Sequence, residues 1–182
     1  MRALVALLVF CAGATFAQTA SLTDLMPANQ LRVVNIISDY AQRYKAADNE
    51  LKKSAVWKAR TKAIDEALKR RPGEKPVDWV GVVEKMGTTG DGKAWVVMRI
   101  SPIATISTWN NDFSDIGDRT LIKNGSPVYK ALENLKPGAV VRFDCQLKTS
   151  GQALIEANRL QQPDFLARFK SITPIPGASR KM

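Results

Sequence analysis

The chain has 182 residues, 45% of them hydrophobic, and 27 Lys and Arg against 17 Asp and Glu give it a formal charge of +10. It contains no histidine, which excludes Ser-His-Asp and Cys-His mechanisms and zinc sites built on imidazole, so any catalysis would rest on carboxylates, lysine, tyrosine or an oxygen-bound cation. The basic excess suits anionic partners such as nucleic acid, acidic glycans, lipid head groups or an acidic protein, and equally a solvated surface on an exported protein.

The chain opens with Arg2, an apolar run over residues 3–14 and then Thr15-Phe16-Ala17-Gln18. Charge, apolar core and small-residue site in that order mark a secretory signal peptide, residues 1–17, cleaved after Ala17. About 15 apolar residues fall short of the roughly 20 that a helix needs to span a bilayer, so a membrane anchor is the weaker reading. Phe10 stands where a lipoprotein site at Cys11 would carry a small residue. The expectation is a periplasmic or secreted protein with no stable membrane span. Cleavage leaves Cys145 as the sole cysteine, which excludes an internal disulfide and a thiolate-built metal centre. In step with Val141, Phe143 and Leu147 at every second residue, Cys145 reads as a small buried hydrophobe. With no histidine to act as its base, a reactive thiol is the lesser reading.

Residues 20–26 read as a short linker ending at Pro27. Residues 28–71 hold no glycine or proline and favour helix. Val33, Ile37, Tyr40, Tyr44, Ala47 and Leu51 recur at steps of four and three, one helix face, and the stripe then rotates to Trp57, Ile64 and Leu68. The drift points to two helices joined at Asp48-Asn49, with one kinked helix as the alternative. Such a stripe is too long to stay in water, and it predicts an intramolecular hairpin resting partly on the following domain, or else self-association. The polar sides carry Arg43, Lys45, Lys52, Lys53, Lys58, Arg60, Lys62, Lys69, Arg70 and Arg71. Acids interspersed at Asp39, Asp48, Glu50, Asp65 and Glu66 predict local ion pairs on a solvated face rather than a membrane or nucleic-acid surface. The basic excess is larger up to residue 76, with 13 Lys and Arg against 7 acids, than beyond it, with 14 against 10. RRPGEKP, residues 70–76, is the clear boundary inside the chain.

From residue 77, β-branched and aromatic residues alternate with polar ones. VDWVGVVEKM is a first strand in which Gly81 permits the sharp coil or bulge of a small barrel. Asp91-Gly92 suits a tight hairpin turn. AWVVMRIS follows, with Ala94, Val96, Met98 and Ile100 on one face and Trp95, Val97 and Arg99 on the other. Pro102 separates it from a third strand, IATISTWN, or marks a bulge. The polar loop 109–125 places Asp112, Asp115 and Asp118 at steps of three. These carboxylates are candidate ligands for a hard cation such as calcium, but Ile116 and Lys123 fall at the fifth and twelfth positions of an EF-hand count, so local capping is the stronger reading. Ser126-Pro127 opens a helix over 126–136 with apolar Val128, Leu132 and Leu135. A fourth strand buries Val141, Phe143, Cys145 and Leu147, and a fifth, residues 152–160, Ala153, Ile155 and Ala157. Phe165 and Phe169 fit a last strand along the barrel edge, and residues 173–182 read as a loose tail.

The fold class is therefore α+β and mostly β: an N-terminal helical hairpin over 28–71, then a five-stranded OB-fold-like barrel over 77–172 with a helix between strands three and four. The element order, WVGVV at the first strand, the helix after GSPVY and LKPGAVVRFDCQL at the fourth strand resemble exported bacterial OB-fold proteins, including the tRNA-anticodon-like OB group. The resemblance covers residues 77–172 and implies topology. It transfers no catalytic or ligand residue, and residues 28–76 lie outside it.

On nucleic-acid-binding barrels of this kind, exposed aromatics stack bases between basic residues. Trp79, Trp95, Trp109 and Tyr129 are candidates by type, with charge from Lys85, Arg99 and Arg142, and the ligand-binding set is Trp95, Arg99, Trp109 and Arg142. The competing reading packs Trp79 and Trp95 under the N-terminal helices. No residue is assigned to catalysis, metal or cofactor. Three functions are compatible with the sequence. The first is a non-catalytic exported binding or accessory protein for a protein or cell-envelope partner. The second is a binder of an anionic oligomer, nucleic acid or glycan, and the third a hydrolase using carboxylates from 112–118.

Overall fold

A computed structural model of the chain describes residues 21–69, 77–148 and 163–178. The signal peptide, the boundary at 70–76 and the strand expected at 152–160 lie outside the described residues. The elements in order are α1 (Leu22–Leu25), α2 (Ala28–Ala46), α3 (Glu50–Lys69), β1 (Trp79–Thr88), β2 (Ala94–Ser101), β3 (Ala104–Ser107), α4 (Asp112–Asp115), α5 (Pro127–Glu133), β4 (Val140–Leu147) and β5 (Asp164–Pro174). No helix among the described residues is long and apolar enough to cross a membrane.

The strands close a barrel in the order β1-β2-β3-β5-β4, an arrangement compatible with an OB-like fold. All pairings are antiparallel except β3 with β5, which is parallel. The alternation of residues explains the inside: Val96, Met98 and Ile100 of β2, Ile106 of β3, Val141, Phe143 and Cys145 of β4 and Ala167 of β5 are buried in one cluster. The fifth barrel position, expected at residues 152–160, is taken by Asp164–Pro174, so the strand expected along the edge closes the barrel instead. It runs into the expected loose tail, and Ile175 then donates its N–H to Val140 O at 2.9 Å. Two short helices, α4 and α5, stand between β3 and β4. Ser126 caps α5 by accepting from the Tyr129 N–H, with Pro127 in the first turn.

Gly81 is not at a bulge. Its pairing with Val141 is regular, and the register of β1 breaks at Glu84. What Gly81 supplies is room, because a Cβ there would lie 3.1 Å from Phe143 Cε1 and 3.2 Å from the Arg99 carbonyl oxygen. At the β1–β2 hairpin, Gly92 alone takes positive φ, 75°, and its N–H donates to Thr89 O.

α2 and α3 are two helices, and they form the expected hairpin. Asn49 starts α3 by accepting from the Lys52 N–H at 2.9 Å. Val33 and Ile37 of α2 and Ile64 and Ala67 of α3 join the barrel core that holds Trp79. The apolar stripe does not stay buried to its end. Tyr40 and Tyr44 are half-buried, with Arg43 and Lys53 over their rings, and Leu51 is 84% exposed. The distal end of the hairpin thus points away from the barrel, and its charges pair within the hairpin, Arg43 with Asp39 and Lys52 with Asp48. The expected linker before Pro27 is a capped helical turn: Ser21 and Asp24 bond each other's backbone, and Leu22 is fully buried with Val80, Val82 and Val140.

One polar contact fixes α2 to the barrel. Gln30, 0% exposed, donates from Nε2 to Val80 O at 2.6 Å and accepts the Val80 N–H on Oε1 at 2.7 Å. The pairing of β1 with β2 begins only at Val82, so the amide of Gln30 supplies at Val80 the two bonds that a neighbouring strand would otherwise make.

Cys145 is 1% exposed, and burial, reinforced by Asp144, pushes its thiol well above the usual range. The folded protein should therefore resist thiol labelling at Cys145 at neutral pH and react fully in denaturant. Labelling of the folded protein at the unfolded rate would show the strand register to be wrong.

Candidate binding face

The hairpin and α1 cover the barrel on its β1–β4 side. The outward side of β2, β3 and β5 carries Val97 and Arg99, Thr105 and a buried Ser107, and Asp164 and Leu166. Register sets Val97 between Lys85 and Ser107 and Arg99 between Val82 and Thr105. Thr105 and Ser107 each donate a hydroxyl to Asp164 at 2.9 Å. Lys85 is exposed and Arg99 half-buried, and among the described residues neither makes an ion pair. The Arg99 Nε is buried without a hydrogen-bond partner.

The other expected site residues are spent elsewhere. Arg142, on β4, donates from one guanidinium nitrogen to Asp78 Oδ2 at 2.9 Å and Asp78 O at 3.3 Å. Asp78 has a φ of 59°, a conformation Asp tolerates better than most residues, and its N–H donates to Asp144 Oδ1 at 2.7 Å. Arg142 therefore pins the entry to β1. Trp109 belongs to the loop after β3, where its N–H donates to Thr120 Oγ1 and its indole to Asp118 Oδ2, each at 2.9 Å. Trp79 is fully buried in the core, continuous with Val33 and Ile37 of the hairpin. Trp95 lies outward at the other end of β2 from Arg99, about 13 Å along the strand, and shares a groove with Tyr129. The structure thus brings Trp95 and Tyr129 together at one groove, with Arg99 at the other end of β2.

The three aspartates of the loop go to different partners. Asp112 bonds the Lys93 ammonium, which holds its carboxyl below the usual range and raises the lysine. Asp115 is buried and accepts from the Thr120 N–H, the Thr120 hydroxyl at 2.7 Å and the Leu121 N–H at 3.1 Å. Asp118 takes the Trp109 indole and lies 3.7 Å from Lys148. Arg168 of β5 adds bonds to the carbonyls of Asp118 and Arg119. Among the described residues no group of three or more Cys, Asp or Glu side chains converges as a metal site would.

Thr105, Ser107 and Asp164 went unread as part of the face. Alternation along residues 104–107 places both hydroxyls outward, but the parallel partner that brings Asp164 to them is nearly sixty residues away. Together the barrel and its outer surface define a closed five-stranded β-barrel with a polar, partly cationic face and with α1 and the α2–α3 hairpin packed on its β1–β4 side. No family model, no curated protein and no solved structure matches the chain.

Proposed function

We propose that this is an exported, non-catalytic binding or accessory protein of the cell envelope, of the bacterial OB-fold type, that engages an anionic partner across the outer face of β2 and β3. The observation carrying this reading is Arg99. The Asp112, Asp115 and Asp118 carboxylates and the cations Lys93, Arg142, Lys148 and Arg168 all serve contacts that hold the fold. Arg99 of β2, a strand of the face that OB-folds use for ligands, and Lys85 of the neighbouring β1 make no ion pair among the described residues. A guanidinium is suited to a carboxylate or phosphate by its fork of donors. Trp79 is in the core and Trp109 is hydrogen-bonded into its loop, so neither offers bases a stacking platform beside Arg99. That favours a protein or glycan over nucleic acid. The apolar start of the chain supports export.

A photo-crosslinking group at Val97 should trap a discrete partner in cell-envelope extracts, and the same group at Lys58 on the hairpin should not. Arg99→Glu should lower the yield at position 97 by roughly tenfold or more. A yield indifferent to Arg99→Glu would sink the reading, and tight binding of an oligo-dT that falls steeply with salt and is lost in Arg99→Glu would transfer the face to nucleic acid.

A further inference from the structure

Where α5 passes the β1–β2 hairpin, a groove of about 140 Å³ is lined by Met86, Gly87, Trp95, Tyr129, Leu132 and Glu133 among others. It is well below the roughly 300–1,000 Å³ of pockets for drug-sized ligands, so it admits a head group or the end of a side chain. Gly87 fixes its aromatic wall. A Cβ there would lie 2.7 Å from Trp95 Cζ2 and 2.8 Å from Cε2, so the indole lies across bare backbone. Tyr129, Leu132 and Glu133 stand at i, i+3 and i+4 on one face of α5. In a chain of charge +10, the ionisable groups that line this groove among the described residues are the Glu133 carboxylate and the Tyr129 phenol, with no lysine or arginine. Glu133 is exposed and makes no ion pair or hydrogen bond among the described residues.

We propose that this groove binds a methylated alkylammonium cation, seated against the Trp95 and Tyr129 rings with its charge toward Glu133. The rings attract a cation through their quadrupoles, and the carboxylate adds a counter-charge. A primary ammonium brings three N–H donors to a wall that offers one carboxylate and is otherwise nearly all apolar. A quaternary nitrogen has no donor to satisfy, and its methyl groups gain from apolar burial. This inference does not depend on the β2–β3 reading, because it uses different residues.

The probe is tetramethylammonium chloride added to the full chain, with sodium chloride at matched concentration as control. The indole N–H resonance of Trp95, assigned through Trp95→Phe, is the readout. The expected result is a saturable shift of that resonance which sodium does not cause. Glu133→Gln should weaken binding about two- to fivefold, and Tyr129→Leu, checked for an unchanged circular dichroism spectrum, should weaken it further. n-Butylammonium should bind more weakly than tetramethylammonium. Free choline and phosphatidylcholine vesicles then distinguish a soluble ligand from a lipid head group. No shift beyond the sodium control, a shift confined to Trp109, or tighter binding of n-butylammonium would overturn the proposal.

Discussion

Replacing Gln30 with alanine is expected to lower the unfolding free energy by about 2–5 kcal/mol, although the side chain is neutral and lies in a helix. The loss has two sources. The Val80 N–H and C=O are both buried, and each left without a partner costs roughly 1–3 kcal/mol. In the parent chain neither group meets solvent, since Val80 and Gln30 are both 0% exposed. Gln30→Glu separates the two bonds. A carboxylate still accepts the Val80 N–H but presents a lone pair to the Val80 carbonyl, so at neutral pH this variant should be destabilised as well. Protonation restores a donor, and the buried carboxyl therefore titrates higher in the folded chain than in the unfolded one. Its stabilising contribution is present below the unfolded carboxyl pKa and disappears as pH rises through the folded one. The denaturation midpoint of Gln30→Glu relative to the parent should accordingly recover on acidification, whereas that of Gln30→Ala should not. Parallel behaviour of the two variants would refute the paired-bond assignment.

Removing residues 28–69 is expected to have the second large effect. The deletion strips Val33, Ile37, Ile64 and Ala67 from the main core and Gln30 from Val80. Each large aliphatic side chain contributes about 1.5–3 kcal/mol on burial. A loss of roughly 5 kcal/mol or more follows, with a lower melting temperature, a dye-binding apolar surface and concentration-dependent association. A truncated barrel that remains monomeric and melts where the full chain melts would show that the hairpin serves a partner rather than the fold.

The first of these effects lies where the sequence was least legible, whereas the second was readable from the apolar stripe of Val33, Ile37 and Ile64. The period of Val96, Met98 and Ile100, the Ser126-Pro127 helix entry and the turn at Gly92 each depend on neighbours in the chain, so each could be read locally. Gln30 depends on a residue fifty positions away, and nothing in its surroundings distinguishes it from a solvated polar residue. The strand at Phe165 and Phe169 was read but set at the barrel edge for a related reason: alternation reports that a segment is extended, not which strands it joins. At the candidate site, residue type identified Trp109 and Arg142 as potential binders, but their partners Asp118 and Asp78 turned them into structural groups. The first turn is a different case, since Ser21 and Asp24 at a spacing of three are a legible capping signal hidden by the expectation of a linker.

The parallel pairing of β3 with β5 also has a kinetic consequence. Thr105 cannot meet Asp164, nor β4 its second neighbour, until β5 follows the other described strands out of the ribosome. Until then β3 and β4 each present a raw edge, and closure must cross a sequence separation of nearly sixty residues. Closure thus waits on β5: the barrel remains open, and vulnerable to edge-to-edge aggregation, until that strand joins it.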